Sequence, residues 1–182
     1  MSPERLVAIF GSSSSEPASS EWKEAENAGA RFASAGLGVI TGGYSGTMAA
    51  ASKGAAEAGA EAIGVTVPGL FVQRTGANPH ITREIEARSL TERIGILTDR
   101  ARGALVLPGS IGTATELLVA WNINHVVRRH GGRRLPTVAV GEEWSELWQL
   151  LTGHVGAFGG DIHLAGTTDE AVDWLLEQPE IH

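Results

Sequence analysis

Ala104-Leu-Val-Leu-Pro108-Gly-Ser-Ile-Gly112-Thr-Ala-Thr-Glu116-Leu-Leu118 changes character twice. The run Ala104 to Leu107 is apolar at every position, the pattern of a parallel strand buried on both faces. Pro108 stops it, because proline has no N–H for a ladder. Gly109, Ser110, Ile111 and Gly112 form a turn with few bulky side chains. Thr113 is then placed to open a helix, with Glu116 in its first turn. A strand, a small-residue turn and a helix N-terminus together make an anion site: the first N–H groups lack intrahelical partners, and the positive end of the helix dipole points at the turn. Two uses for Glu116 follow. Thr113-x-x-Glu116 has capping-box spacing, in which the carboxylate reaches back to the Thr113 N–H. The same carboxylate lies at the mouth of the anion site, where it can act on a bound group.

Working outward, the chain alternates apolar runs with helical patterns. Leu6 to Phe10 reads as a first strand, followed by the small loop Gly11-Ser12-Ser13. A helix follows from about Glu21 to Ala35 and ends at Gly36. Leu37 to Thr41 is a second strand. It runs into Gly42-Gly43-Tyr-Ser-Gly46-Thr47-Met48, a second glycine turn, and then into an alanine-rich helix to about Ala58. Ala62 to Val67 is a third strand. From Leu70 to Glu86 the pattern weakens, and this stretch reads as a loop with one short strand. It carries Arg74, a candidate substrate-loop residue. Ser89-Leu-Thr-Glu92 has capping-box spacing and predicts a helix to Arg100. Beyond the opening stretch, the helix predicted from Thr113 ends near Val127, and Arg128 to Arg134 reads as a basic turn. Leu135 to Val140 is a strand, Trp144 to Leu151 a helix, Ile162 to Ala165 a short strand and Ala171 to Glu177 a last helix. Alternation of this kind predicts an α/β fold, a Rossmann-like doubly wound parallel sheet with helices on both faces. The reading is one domain over 1–182. The Ser12, Gly43 and Gly109 loops should gather at the C-terminal edge of that sheet.

Composition narrows the function classes. There are 14 Lys and Arg against 21 Asp and Glu, a formal charge of −7, which disfavours a nucleic-acid partner because phosphate-backbone affinity needs a basic face. With no cysteine, disulfides and thiolate chemistry are out of reach. No apolar run approaches the ~20 residues that span a bilayer, and Met1 to Arg5 carries no secretory pattern, so a cytoplasmic protein without a membrane partner is expected. The six histidines show no metal-ligand spacing, and no metal or other cofactor is expected. Gly42-Gly43 lacks the spaced fingerprint of a dinucleotide fold, and no acidic residue ends the second strand to bind a ribose hydroxyl. A Walker loop is absent, as is a nucleophile elbow. What stands out is two glycine loops before helices, which suits a mononucleotide phosphate.

These residues carry a family resemblance. Pro108-Gly-Ser-Ile-Gly-Thr-Ala-Thr-Glu116 resembles the PGGxGTxxE signature of the LOG family, formerly called lysine decarboxylase-like. Leu90-Thr-Glu-Arg93 stands at the place of that family's arginine-bearing helix motif. Gly42 to Met48 is similar to its GGGxxGLM turn, Phe10-Gly-Ser-Ser13 to its FxGSS opening, and Ile63 to Pro68 to its IGVxP strand. The resemblance implies a Rossmann-like homodimer that splits a nucleoside 5′-monophosphate such as AMP into free base and ribose 5-phosphate. It implies Arg93 and Glu116 as the catalytic pair. The phosphate and nucleotide would be held by Gly11, Ser12, Ser13, Gly42, Gly43, Gly46, Thr47, Met48 and the stretch Pro108, Gly109, Ser110, Ile111, Gly112 and Thr113. Relatives with the same fold carry molybdenum cofactor, which makes a non-catalytic carrier the alternative. Three positions depart from the pattern: Ser110 for a glycine, Ile94 for a lysine and Thr115 for a carboxylate. The stretch after Glu116 is closer to a bacterial subgroup than to the plant enzymes, and cytokinin specificity does not follow.

Overall fold

The computed structural model describes residues 5–70 and 76–181. Arg74 lies outside the described residues. Among the described residues, seven strands form one sheet: β1 Leu6–Phe10, β2 Gly38–Thr41, β3 Ala62–Thr66, β4 Arg83–Glu86, β5 Gly103–Val106, β6 Thr137–Val140 and β7 His163–Ala165. Every pairing is parallel, in the order β4-β3-β2-β1-β5-β6-β7. The five central strands β1, β2, β3, β5 and β6 are buried at every position, as their unbroken apolar runs require.

Among the described residues, six α-helices cover the two faces: α1 Ser20–Ser34, α2 Thr47–Glu57, α3 Leu90–Arg100, α4 Ile111–His130, α5 Glu142–Leu150 and α6 Thr168–Leu176. One core joins the sheet to Leu97 of α3, Leu117 and Trp121 of α4 and Trp144 of α5. The other joins it to Ala25 and Phe32 of α1, Ala51 of α2 and Leu175 of α6. The fold is therefore the Rossmann-like α/β arrangement that the alternation predicted. Strand order reverses between β1 and β5, so the topological switch point lies beside the stretch Ala104 to Leu118.

Several boundaries differ from the sequence reading. The weak segment before α3 holds the one short strand expected there, β4, which lies at the sheet edge and alternates half-buried and exposed positions. Its charges suit an edge that must not pair with another chain. Helix α4 starts at Ile111, not Thr113, with Ser110 in extended conformation as its N-cap. Glu116 therefore sits in the second turn, and no acidic residue occupies the first. The capping-box use of Glu116 is excluded by this shift. The same helix runs on to His130, so Arg128 and Arg129 belong to its last turn, where positive charge complements the dipole. A five-residue π-helical turn, Leu151–Val155, follows α5. Helix α6 opens with a complete capping box, Thr167 with Glu170, that the sequence reading passed over.

Candidate functional site

The three loops meet at the C-terminal edge of the sheet. Register places Phe10 opposite Val106 and Ala8 opposite Ile40, so β1, β2 and β5 end together. The Ser12 N–H donates to the Pro108 carbonyl, joining the first loop to the third. The Ser12 carbonyl accepts from the Thr47 N–H (2.9 Å) and from the Thr47 hydroxyl (3.1 Å), joining the first loop to the second. Ser45 Oγ donates to the Ser13 carbonyl. The loops pack closely at their glycines. A Cβ on Gly46, whose φ is +71°, would lie 2.1 Å from the Ser12 carbonyl oxygen. Thr47 and Met48 are buried, and the Thr47 hydroxyl is engaged with Ser12, while Gly109, Ser110, Ile111 and Gly112 are exposed and Thr113 is buried.

A crevice of about 660 Å³ opens at the switch point, lined by Ser12, Ser14, Ser15 and Ser19, by Pro108, Gly109 and Ser110, and by the carboxylates Glu16, Glu21 and Glu143. This is where an open parallel sheet places its ligands. Ser110 caps α4 without a side-chain hydrogen bond. The first N–H groups of a helix have no intrahelical partner, so here they lie beside exposed Gly109 to Gly112.

Further along α4, Glu116 meets Arg93 of α3. Arg93 Nη1 donates to Glu116 Oε1 at 3.3 Å, and both side chains are about nine-tenths buried, with 11% and 9% exposure. On sequence grounds alone Arg93 reads as a solvated helix charge. The structure instead turns it inward: Nε donates to the Val65 carbonyl at 2.9 Å, and Nη2 lies 3.9 Å from Met48 Sδ. The guanidinium lies against the backbone of the second loop, since a Cβ on Gly42 would come within 1.6 Å of Nη2. The missing side chain at Gly42 thus leaves room for the Arg93 guanidinium. Burial pushes Glu116 up to about 7, against the opposing pull of the Arg93 charge. A carboxylate poised near neutrality beside a helix N-terminus can exchange a proton at ordinary pH and can stabilise a developing cation.

The basic cluster is largely internal support. Arg128 Nε pairs with buried Asp161 Oδ1 at 3.0 Å and its Cζ lies 4.2 Å from the Phe158 ring centroid, while His125 Nδ1 stands 3.3 Å from Asp161 Oδ2. Arg133 donates to the carbonyls of Thr98, Asp99 and Ala101 at the end of α3. Two partners of the site were absent from the sequence reading. Tyr44 brings its ring to 5.9 Å from Arg93 Cζ, and Asn78 Nδ2 donates to the Gly43 and Tyr44 carbonyls. No local spacing signals either, because each acts across the fold. Among the described residues, no group of three or more His, Asp or Glu is arranged to hold a metal ion, and no helix is long and apolar enough to cross a membrane.

Fold and site together define a Rossmann-like α/β protein with a buried Arg–Glu pair set beside glycine loops at its switch point. Residues 4–140 match the SLOG cluster4 family, and the chain belongs to that family, within the LOG group its motifs resemble. Two curated relatives bear the name cytokinin riboside 5′-monophosphate phosphoribohydrolase. The protein from Mycobacterium marinum is 33% identical over 51% of this chain and 50% of its own length. The protein from Mycobacterium tuberculosis is 33% identical over 63% of this chain and 61% of its own length. The chain thus spans between half and two thirds of these relatives. Solved structures share the fold over most of the chain. A molybdenum cofactor binding protein from Rippkaea orientalis superposes with a TM-score of 0.73 at 18% identity, covering 96% of this chain and 97% of that one. The molybdenum cofactor carrier protein of Chlamydomonas reinhardtii gives 0.70 at 22%, covering 94% and 96%.

Proposed function

We propose that the protein is a nucleoside 5′-monophosphate phosphoribohydrolase. The observation that carries this reading is the buried Arg93–Glu116 pair beside the exposed N-terminus of α4. In this reading the 5′-phosphate binds the turn Gly109 to Thr113 through backbone N–H groups. Phosphate binding holds the ribose with C1′ near Glu116. The C1′–N bond breaks and its electron pair leaves with the base, which takes up a proton. The sugar passes through an oxocarbenium-like state that ionised Glu116 stabilises, and the same carboxylate takes a proton from the water that attacks C1′. Arg93 opposes the burial that would otherwise keep Glu116 neutral. The names of the mycobacterial relatives support the activity and the class of substrate. The expected assembly is a homodimer acting in the cytoplasm.

The test is release of free base from AMP, GMP, CMP, UMP and isopentenyladenine ribotide, followed by chromatography. At least one should be cleaved, and Glu116→Gln should abolish cleavage. No release above that variant from any of the five would remove the enzyme reading. A second reading, a carrier of a phosphorylated cofactor, draws support from the names of the structural relatives and from Ile94 in place of a lysine beside Arg93. Saturable binding by calorimetry without turnover would select it.

A further inference from the structure

We propose that Tyr44 is a positioning residue for the Arg93–Glu116 pair, holding the guanidinium against the carboxylate through its ring. Tyr44 follows Gly42 and Gly43 in the second loop and is almost fully buried, with 5% exposure. The C-terminal end of β3 grips both residues. The Val67 N–H donates to Tyr44 Oη at 2.8 Å, and two residues earlier the Val65 carbonyl accepts from Arg93 Nε at 2.9 Å. The ring therefore has a fixed place, 5.9 Å from Arg93 Cζ, within range of a cation–π attraction. Asn78 completes the brace: its backbone N–H donates to the Gly43 carbonyl at 2.7 Å, and its Nδ2 donates to the Gly43 and Tyr44 carbonyls. Arg93 is then confined by Gly42 and Met48 of the second loop and helix, by Val65 of β3, by Tyr44 and by Glu116 itself. The charged group acting on Glu116 is Arg93 from α3; from the second loop Arg93 meets the Tyr44 phenol ring and from α2 the uncharged Met48 thioether.

The inference deepens the hydrolase reading and rests on it only for its kinetic consequence. If the ring sets the Arg93–Glu116 distance, loosening it weakens the pull that keeps Glu116 ionised, and the carboxyl must titrate at higher pH. Protein labelled with carboxyl-¹³C glutamate reports this directly, with the Glu116 resonance assigned by its loss in Glu116→Gln. Tyr44→Leu, which removes the ring, should raise the midpoint by about one unit. Tyr44→Phe keeps the ring but loses the anchor to Val67, and should raise it by about half as much. A midpoint unmoved in the folded variants overturns the proposal, and Tyr44→Phe decides alone if Tyr44→Leu does not fold. In the base-release assay kcat should fall about tenfold with little change in KM, and the acidic limb should move by the same interval as the resonance. A fall in kcat with an unmoved limb would mark a merely structural role. If the unmodified protein releases no base, the hydrolase reading fails while the titration still judges Tyr44.

Discussion

Glu116 is a carboxylate that folding drives toward its neutral form. In an unfolded chain it titrates near 4.5, and in the folded protein near 7, because burial outweighs the nearby Arg93 charge. The native state therefore holds this proton more tightly than the unfolded state. The associated stabilisation is fully present below about pH 4.5 and is lost as pH rises through about 7. Glu116→Gln stays neutral throughout and should escape that loss. Near pH 4.5 the two proteins should differ little; above pH 7 the glutamine variant should gain on the order of 3 kcal/mol relative to the parent. Urea unfolding across the range checks this, and an offset independent of pH would contradict burial as the cause. Activity should run the other way. The ionised form acts on the sugar, so kcat/KM should show an acidic limb with its midpoint near 7. Gly42 tests the same pair from the backbone side. A methyl group there collides with Arg93 Nη2, so Gly42→Ala must displace the guanidinium. Base release should fall about 100-fold, the scale on which ångström displacements of catalytic groups act.

Elements hold these residues in place through contacts that leave no room. Helices α1 and α2 touch backbone to backbone: a Cβ on Gly54 would lie 1.9 Å from the Glu26 carbonyl oxygen, and one on Gly29 would lie 2.1 Å from that of Ala51. Gly54→Val should therefore destabilise the protein by about 3 kcal/mol, seen as a lower urea midpoint. The Glu116 resonance should be unchanged in the folded fraction. The alanine-rich composition of α2 suits such a close approach. The central strands were legible for a related reason, since strands buried on both faces read as unbroken apolar runs. Strand β4 was only half legible: it lies at the edge, and Ile85 is its sole apolar side chain. The start of α4 was misread because burial gives no signal there. Ile111 is 83% exposed, and the extended backbone that makes Ser110 the cap is invisible in composition. Arg93 was legible as a site residue only through its family motif. Its partner stands 23 positions away, and a lone arginine on a helix looks solvated until the fold brings α3 and α4 together.

At the scale of the molecule, the outer face of α4 is what the fold leaves uncovered. On sequence alone, Leu117, Leu118, Trp121 and Ile123 give this helix more apolar surface than one sheet face needs. Leu117 and Trp121 fill the core beneath α4, whereas Leu118 is 41% exposed and Ile123 is half-buried. Val126 and Val155 extend the same exposed apolar surface. Leu118 forms a ridge between two grooves. One is lined by Val119, Ile123, Val126 and Val127, and the other by Trp121, Leu151, Val155 and Ala157. A ridge flanked by grooves is self-complementary under a two-fold axis, the commonest symmetry of soluble oligomers. A second copy crossing α4 would seat its own Leu118 in one of these grooves. The protein should then scatter light with twice the mass of one chain. Leu118→Asp places a charge at the centre of that contact, where a desolvated and unpaired carboxylate opposes association. It should halve the mass while leaving the circular dichroism spectrum unchanged, because Leu118 is not part of the core. A single-chain mass for the unmodified protein at micromolar concentration would overturn the dimer, and with it any role for this face in self-association.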